Sequence, residues 1–232
     1  MLARQRQELI LTAVRTTGGA KVSDLVERLG VSDMTVRRDI EALASRGLVT
    51  RVHGGATTPG SSVEEPGFAA KSGLRTAAKQ AIAAAAAALV EPGASVALSA
   101  GTTTHAVASA LLTTPRLTVV LTGGERTPSD ALVGPVAVAA LRRLHVDWLL
   151  MGVHGMDAEA GFTTPNLVEA ETNRALVHCA RQVAVVADNS KWGVVGLSTI
   201  ATLDEVDVVV TDAGLSPHAC RVLENSCRVV LA

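Results

Sequence analysis

Aromatic rings are nearly missing from this chain: Phe, Trp and Tyr together make up 2% of 232 residues, and Tyr is absent. Platforms that stack sugars or single-stranded nucleic acid need exposed rings, so both are set aside, and Ala and Val must fill the core. Cysteine is sparse, with Cys179, Cys220 and Cys227 the only three. An odd set of this size builds no disulfide framework, and no pair stands at metal-ligand spacing beside a His. We expect thiols in a reducing compartment, no metal and no cofactor. Long apolar runs are also lacking. The alanines at 83–88, flanked by Lys79 and Glu91, are too few to span a bilayer, and the charged start MLARQRQELI is no secretory signal. The expectation is a soluble cytoplasmic protein with no membrane partner.

Net charge is almost absent too, at −1, but the mean conceals a division. Residues 1–56 hold nine Lys and Arg against six Asp and Glu, while the remainder holds twelve against sixteen. A mildly basic head on an acidic body is the pattern of a DNA-binding head carried by another domain. Between them runs ATTPGSSVEEPG, rich in Pro, Gly, Ser and Thr, which reads as a linker. The expected organisation is a head over 1–56, a linker over 57–70 and a body over 71–232.

The head reads as three short helices and a β-hairpin. Leu9, Ile10, Ala13 and Val14 share a face of the first helix; Ser23 caps a second, SDLVERL; Ser32 caps a third that runs to about Arg46 and stops at Gly47. In the third helix Val36, Ile40, Leu43 and Ala44 form an apolar stripe. That leaves Met34, Thr35, Arg37 and Arg38 outward, an array suited to a DNA major groove. Arg takes guanine O6 and N7, Thr and Met meet a thymine methyl, and the Ser32 end directs free N–H groups at phosphate. A solvated face, with Arg37 paired to Glu41, is the plain alternative. Arg51 and His53 on the following hairpin add cations suited to the DNA backbone.

The body alternates helices with continuous Val/Leu strands, the pattern of a parallel sheet covered on both faces. Glycine-rich turns follow several strands: Ala100-Gly101-Thr102-Thr103-Thr104, Gly123-Gly124, and Gly152-Val153-His154-Gly155. Loops after parallel strands gather on one sheet edge, where such folds bind ligands. Gly101 with three hydroxyls and a helix N-terminus can hold a phosphate, although such turns also occur with no ligand. Glu169, Arg174, Asp188 and Lys191 fall near later element ends.

KVSDLVERLGVSDMTVRRDIEALASRGLVTRVHGGA resembles the winged helix-turn-helix of DeoR-type transcriptional regulators, most specifically in SDMTVRRDI and RVHGGA. AGTTT, LTGG, DWLLMGVHGMD, GFTT, VEAETNRALV and VVADNSKWG resemble that family's effector domain, which is similar in fold to ribose-5-phosphate isomerase. The resemblance implies a Rossmann-like α/β body and a double-stranded DNA operator gripped by Thr35, Arg37, Arg38, Arg51 and His53. It further implies a phosphorylated sugar effector. Its phosphate would lie on Gly101, Thr102, Thr103 and Thr104, and its pocket would be lined by Gly123, Gly124, His154, Glu169 and Lys191. The expected activity is a repressor of sugar-metabolism genes, acting as a homo-oligomer because paired heads match paired half-sites.

Two departures stand out. Ser99 occupies the place of the Asp that usually precedes AGTTT in the family. And Leu117-Thr118-Val119-Val120 runs directly into Leu121-Thr122-Gly123-Gly124, so that one strand serves for two and a βα unit of about twenty residues is missing. The expected consequence is loss of a central or near-central element and of one pocket wall, weakening the effector site. Two alternatives follow: a constitutive DNA binder whose body only oligomerises, and a sugar-phosphate isomerase. Against the isomerase stand the DNA head, the absent Asp and the lack of a general acid/base pair at the loop ends.

Overall fold

The computed structural model describes residues 3–17, 19–46, 48–52, 55–57, 67–127 and 130–232. They form two compact units, 1–64 and 65–232. His53, Gly47 and residues 58–66 of the expected linker lie outside the described residues.

The first unit contains α1 (Ala3–Thr17), β1 (Gly19–Lys21), α2 (Val22–Leu29), α3 (Asp33–Ala44), β2 (Thr50–Val52) and β3 (Gly55–Thr57). The apolar stripe of α3 does what its spacing requires: Val36, Ile40 and Leu43 are buried against Ile10, Val14 and Leu25. Each such side chain contributes about 1.5–3 kcal/mol. Ser32 caps α3, its hydroxyl accepting from the Thr35 N–H at 3.3 Å. The helices are locked by charge as well. Arg6 on α1 pairs with buried Asp39 on α3 at 2.7 Å, and Gln7 donates to the same carboxylate at 3.2 Å. The expected hairpin is one part of a three-stranded antiparallel sheet in the order β1-β3-β2. Its strand β1 was not expected, because three residues, GAK, carry no period. Ser23 lies one residue inside α2 rather than capping it.

The second unit contains α4 (Phe68–Ser72), α5 (Thr76–Ala87), β4 (Ser95–Leu98), α6 (Thr102–Leu111), β5 (Thr118–Val120), β6 (Glu125–Arg126) and β7 (Leu132–Val133). These are followed by α7 (Pro135–Leu141), β8 (Val146–Met151), β9 (Gly155–Asp157), β10 (Gly161–Thr164), α8 (Leu167–Cys179) and β11 (Ala180–Val186). The last elements are β12 (Ser198–Ala201), β13 (Val208–Thr211), α9 (Pro217–Glu224) and β14 (Arg228–Leu231). Six strands form a parallel sheet in the order β14-β13-β11-β8-β4-β5. One face, with Val96, Leu98, Leu150 and Val186, packs under α5 and α6; the other, with Leu149, Met151, Val185 and Val209, packs under α7, α8 and α9. Burial on both faces of the inner strands β4, β8, β11 and β13 is why their centres are apolar without alternation.

The path through the sheet reverses between β4 and β8. From β4 the chain moves outward through α6 to β5; from β8 it moves the other way through α8 to β11. A reversal of this kind opens a crevice at the strand carboxyl ends. Above that end lies an antiparallel sheet, β12-β10-β9, which the sequence reading did not contain.

Three boundaries differ from expectation. Thr102, Thr103 and Thr104 are the first turn of α6 and not a loop. The sequence pattern places a helix over Val133 to Leu144, but α7 begins at Pro135, with the β6–β7 hairpin ahead of it. The linker expected over 57–70 gives way to α4 at Phe68.

Candidate nucleic-acid interface and ligand cleft

In the first unit, Met34 and Arg38 are exposed on α3 and Thr35 is half-buried at its start. The Ser32 and Thr35 hydroxyls share a hydrogen bond of 2.9 Å. Arg37 reaches back to Asp33 and not forward to Glu41: its Nε and Nη2 donate to the two carboxylate oxygens at 2.5 and 3.2 Å. That hydrogen bond, reinforced by the Asp33 charge, raises the Arg37 pKa. Arg38 makes no hydrogen bond or ion pair among the described residues. The outward array thus contains one committed and one uncommitted guanidinium. Arg51 sits on β2, opposite Ala56 of β3.

In the second unit, a cleft opens at the β4/β8 reversal. It is lined by Gly101, Thr102 and Thr103 after β4, by Gly152 and His154 after β8, and by Glu169 of α8. Asp188 and Lys191 after β11, and Lys71, Arg75 and Lys79 from the α4–α5 segment, complete it. Gly101 carries φ 136°, a conformation that suits glycine, and caps α6 with no side-chain hydrogen bond. The first N–H groups of α6 therefore have no capping side chain and face the cleft.

The basic wall was not foreseen. Lys79 is 7% exposed, and its Nζ donates to the Lys71 carbonyl at 2.5 Å. Desolvation lowers its pKa, with Lys191 and Lys71 adding to the shift and the attraction of Asp188 opposing it. Arg75 sits in the left-handed region at φ 52°. From there its Nε lies 3.5 Å from an Asp188 oxygen and its Nη1 donates to Asn189 Oδ1 at 3.2 Å. Asp188 is buried and accepts from the Ser190 N–H and hydroxyl at 3.1 and 2.5 Å.

Several expected residues do other work. Thr104 is buried, its hydroxyl donating to the Gly101 carbonyl at 2.9 Å, and is not among the cleft-lining residues. Gly123 and Gly124 do not line the cleft either. Gly124 has φ 129°, and a Cβ there would stand 2.2 Å from the Val133 carbonyl oxygen, so it is needed for the β6–β7 approach. That hairpin positions Glu169: the Thr127 hydroxyl donates to Glu169 Oε1 at 2.6 Å. Ser99 accepts from the Gly152 N–H at 2.9 Å, tying β4 to β8. Arg174 donates to the Thr199 carbonyl, fastening α8 to β12 outside the cleft. Where the family pattern is interrupted, β5 is the outermost strand and gives no residue to the cleft. The break in the family pattern thus falls at an edge strand and not at a central one.

A helix-turn-helix unit with an outward basic helix, followed by a doubly wound unit with a cationic cleft, defines a ligand-linked DNA-binding regulator. The description "DeoR-like helix-turn-helix domain" matches residues 6–62, and "DeoR C terminal sensor domain" matches residues 74–120 and 105–213. The chain belongs to the DeoR family of transcriptional regulators. Residues 105–120 fall in both parts of the sensor-domain match, as expected where one helix-strand unit stands for two. The HTH-type transcriptional regulator GlpR of Haloferax volcanii is 35% identical over 245 residues, covering 97% of this chain and 96% of that protein. The glycerol-3-phosphate regulon repressor of Escherichia coli K12 is 31% identical over 245 residues, with 97% of each covered. Both alignments are longer than the chain itself, so they open gaps in it. Ribose 5-phosphate isomerase from Plasmodium falciparum is similar in fold, with a TM-score of 0.38 and 14% identity over 51% of this chain and 54% of that one. Among the described residues, no helix is long and apolar enough to cross a membrane, and no group of three or more His, Cys, Asp or Glu suits a metal ion.

Proposed function

We propose that this protein represses sugar-metabolism genes and releases its operator when a phosphorylated sugar fills the cleft of the second unit. The observation that carries the reading is the convergence of Lys71, Arg75, Lys79 and Lys191 on the uncapped first turn of α6. Burying a lysine costs free energy unless an anion repays it, and a phosphate dianion on Gly101–Thr103 is such an anion. Asp188, Glu169 and His154 supply acceptors and a ring nitrogen for sugar hydroxyls. Relatives named for glycerol 3-phosphate and for transcriptional repression support the same reading. On the DNA side, Arg38, Met34 and Thr35 read base edges, while Ser32, Arg37, Arg51, Ser23 and His53 grip the backbone. No turnover is part of the proposal: Ser99 is spent on joining β4 to β8 and offers the cleft no acid.

Release requires that the ligand bind the operator-competent and free states with different affinity. The test is fluorescence anisotropy on labelled operator, titrated with a panel of sugar phosphates and with the same sugars unphosphorylated. At least one phosphorylated member should weaken operator binding while its unphosphorylated counterpart does nothing. Operator affinity that no member of the panel changes would favour the constitutive DNA binder instead.

A further inference from the structure

The outermost strand β5 is apolar, and among the described residues it pairs with no strand on its free side. Val119 is 47% exposed and Leu121 is 71% exposed. The run Leu117–Gly124, LTVVLTGG, has no charge, so it lacks the lysines and prolines with which natural edges discourage pairing. Backbone direction is fixed by the neighbour. The Thr118 N–H donates to the Ala94 carbonyl at 3.0 Å, and Thr118, Val119 and Val120 stand opposite Ser95, Val96 and Ala97. Because alternate residues of a strand face alternate neighbours, Thr118 and Val120 bond inward and the N–H and C=O of Val119 point to the open side. Its side chain lies on the face of Val96, where α6 covers the inner strands.

This edge is complementary to itself. We infer that two copies of the chain pair through β5, antiparallel about a two-fold axis at Val119, joining two six-stranded sheets into one. Val119 then exchanges both backbone hydrogen bonds with Val119 of the partner subunit. Leu117 meets Leu121 of the partner subunit on one face, and Thr118 meets Val120 of the partner subunit on the other. No like charges are brought together. The pairing is isologous and uses the β5 edge of both copies, so this interface closes at two and leaves β14 as the outer edge of each sheet. A second copy is the occupant because the sequence about Val119 reads nearly the same in both directions, Leu-Thr-Val-Val-Leu. Strand β5 also lies in residues 105–120, which both parts of the sensor-domain match contain. The pairing is independent of what the cleft binds.

A single cysteine tests it. In a hydrogen-bonded antiparallel pair the Cα atoms of Val119 stand about 5.5 Å apart, within disulfide reach. Full-length Val119→Cys, oxidised in air, should run as a reducible covalent dimer. Val136→Cys, a more open position on α7 at 70% exposure, should not. Unmodified protein is the control for the native thiols; burial raises those of Cys179 and Cys227 and keeps them protonated. Val119→Pro removes the outward N–H, with the inward bonds of Thr118 and Val120 left to form, and should lower the sedimenting mass of the full chain with its circular dichroism retained. Three results would overturn the inference: no more cross-linking at 119 than at 136, an unmodified chain sedimenting as a monomer at micromolar concentration, or open-ended aggregation in place of a closed pair.

Discussion

Arg37 and Arg38 are adjacent in sequence and differ in circumstance. Arg37 is held by both oxygens of Asp33, an exposed i,i+4 pair that water screens and that contributes little to stability. It does restrain the guanidinium, which must leave Asp33 to bind DNA. Arg38 has no such competitor among the described residues. Arg38→Ala should therefore cost about 1–3 kcal/mol of operator binding and relax base preference at one position, if it takes a guanine. Arg37→Ala should cost less. Anisotropy titrations on cognate and scrambled operator at several salt concentrations give the order; equal losses on both sequences with a flatter salt slope would reassign Arg38 to phosphate.

Lys79 is the residue-scale case in the second unit. Its spacing held a signal: Lys79 falls on the stripe of Ile82, Ala83 and Ala86, all buried. A charge on an apolar stripe marks either a paired ion or a binding site. The sequence reading took Lys79 merely as the flank of an alanine run. Because burial lowers its pKa from the ordinary 10.5, the folded state holds fewer protons than the unfolded one between the lowered value and 10.5. Stability from this group therefore rises with pH through that window, and below it the cost of the buried charge is complete. Lys79→Met should stabilise the empty protein at neutral pH, flatten that alkaline rise and weaken phosphorylated-ligand binding. Urea denaturation against pH, alongside ligand titration, measures all three. Destabilisation at neutral pH would mean that the Lys79 hydrogen bond to Lys71 outweighs desolvation.

At the scale of elements, the long and strongly patterned ones were legible: α3 with its cap, the Val/Leu strands of the parallel sheet, and the turns after β4 and β8. These depend on local chemistry and on burial that the sequence periodicity reports. What escaped was short and set by tertiary contact. The strands GMD, GFTT and STIA (β9, β10 and β12) are too brief for a period of two, and β10 is buried throughout. The two-residue strands of the β6–β7 hairpin carry no period either, and only Val133 at its end falls in the helix expected over 133–144. This matters for the site, since the hairpin carries Thr127 to Glu169 while the neighbouring glycines were assigned to the ligand. Gly124→Ala should destabilise the second unit by about 1–3 kcal/mol, the cost of forcing a side chain into that backbone conformation, beyond the clash with Val133. Gly123→Ala, with nothing within 4 Å of an added Cβ, should be nearly neutral. Thermal unfolding of the two variants separates a hairpin glycine from a phosphate-loop glycine; equal and small effects on stability with equal losses of ligand affinity would restore the ligand role to both.

For the whole molecule, the two units have separate hydrophobic cores, one around Ile10, Ile40 and Leu43 and one on each face of the parallel sheet. Each has its own handle for a test: the buried Arg6–Asp39 pair in the first, the cleft and the phosphorylated ligand proposed for it in the second. Calorimetry should therefore resolve two transitions that respond to different perturbations. A phosphorylated ligand at about 100 times its Kd should raise only the second-unit transition, by about 2.7 kcal/mol. Asp39→Ala should lower only the first, by about 3 kcal/mol, because it removes one partner of a largely buried ion pair. Operator DNA should raise the first transition alone in the absence of ligand. When both are present, their effects should no longer add, because a ligand that releases DNA must lose affinity in the presence of DNA by the same factor. Strict additivity in that last experiment would mean that the cleft binds its ligand without informing the head.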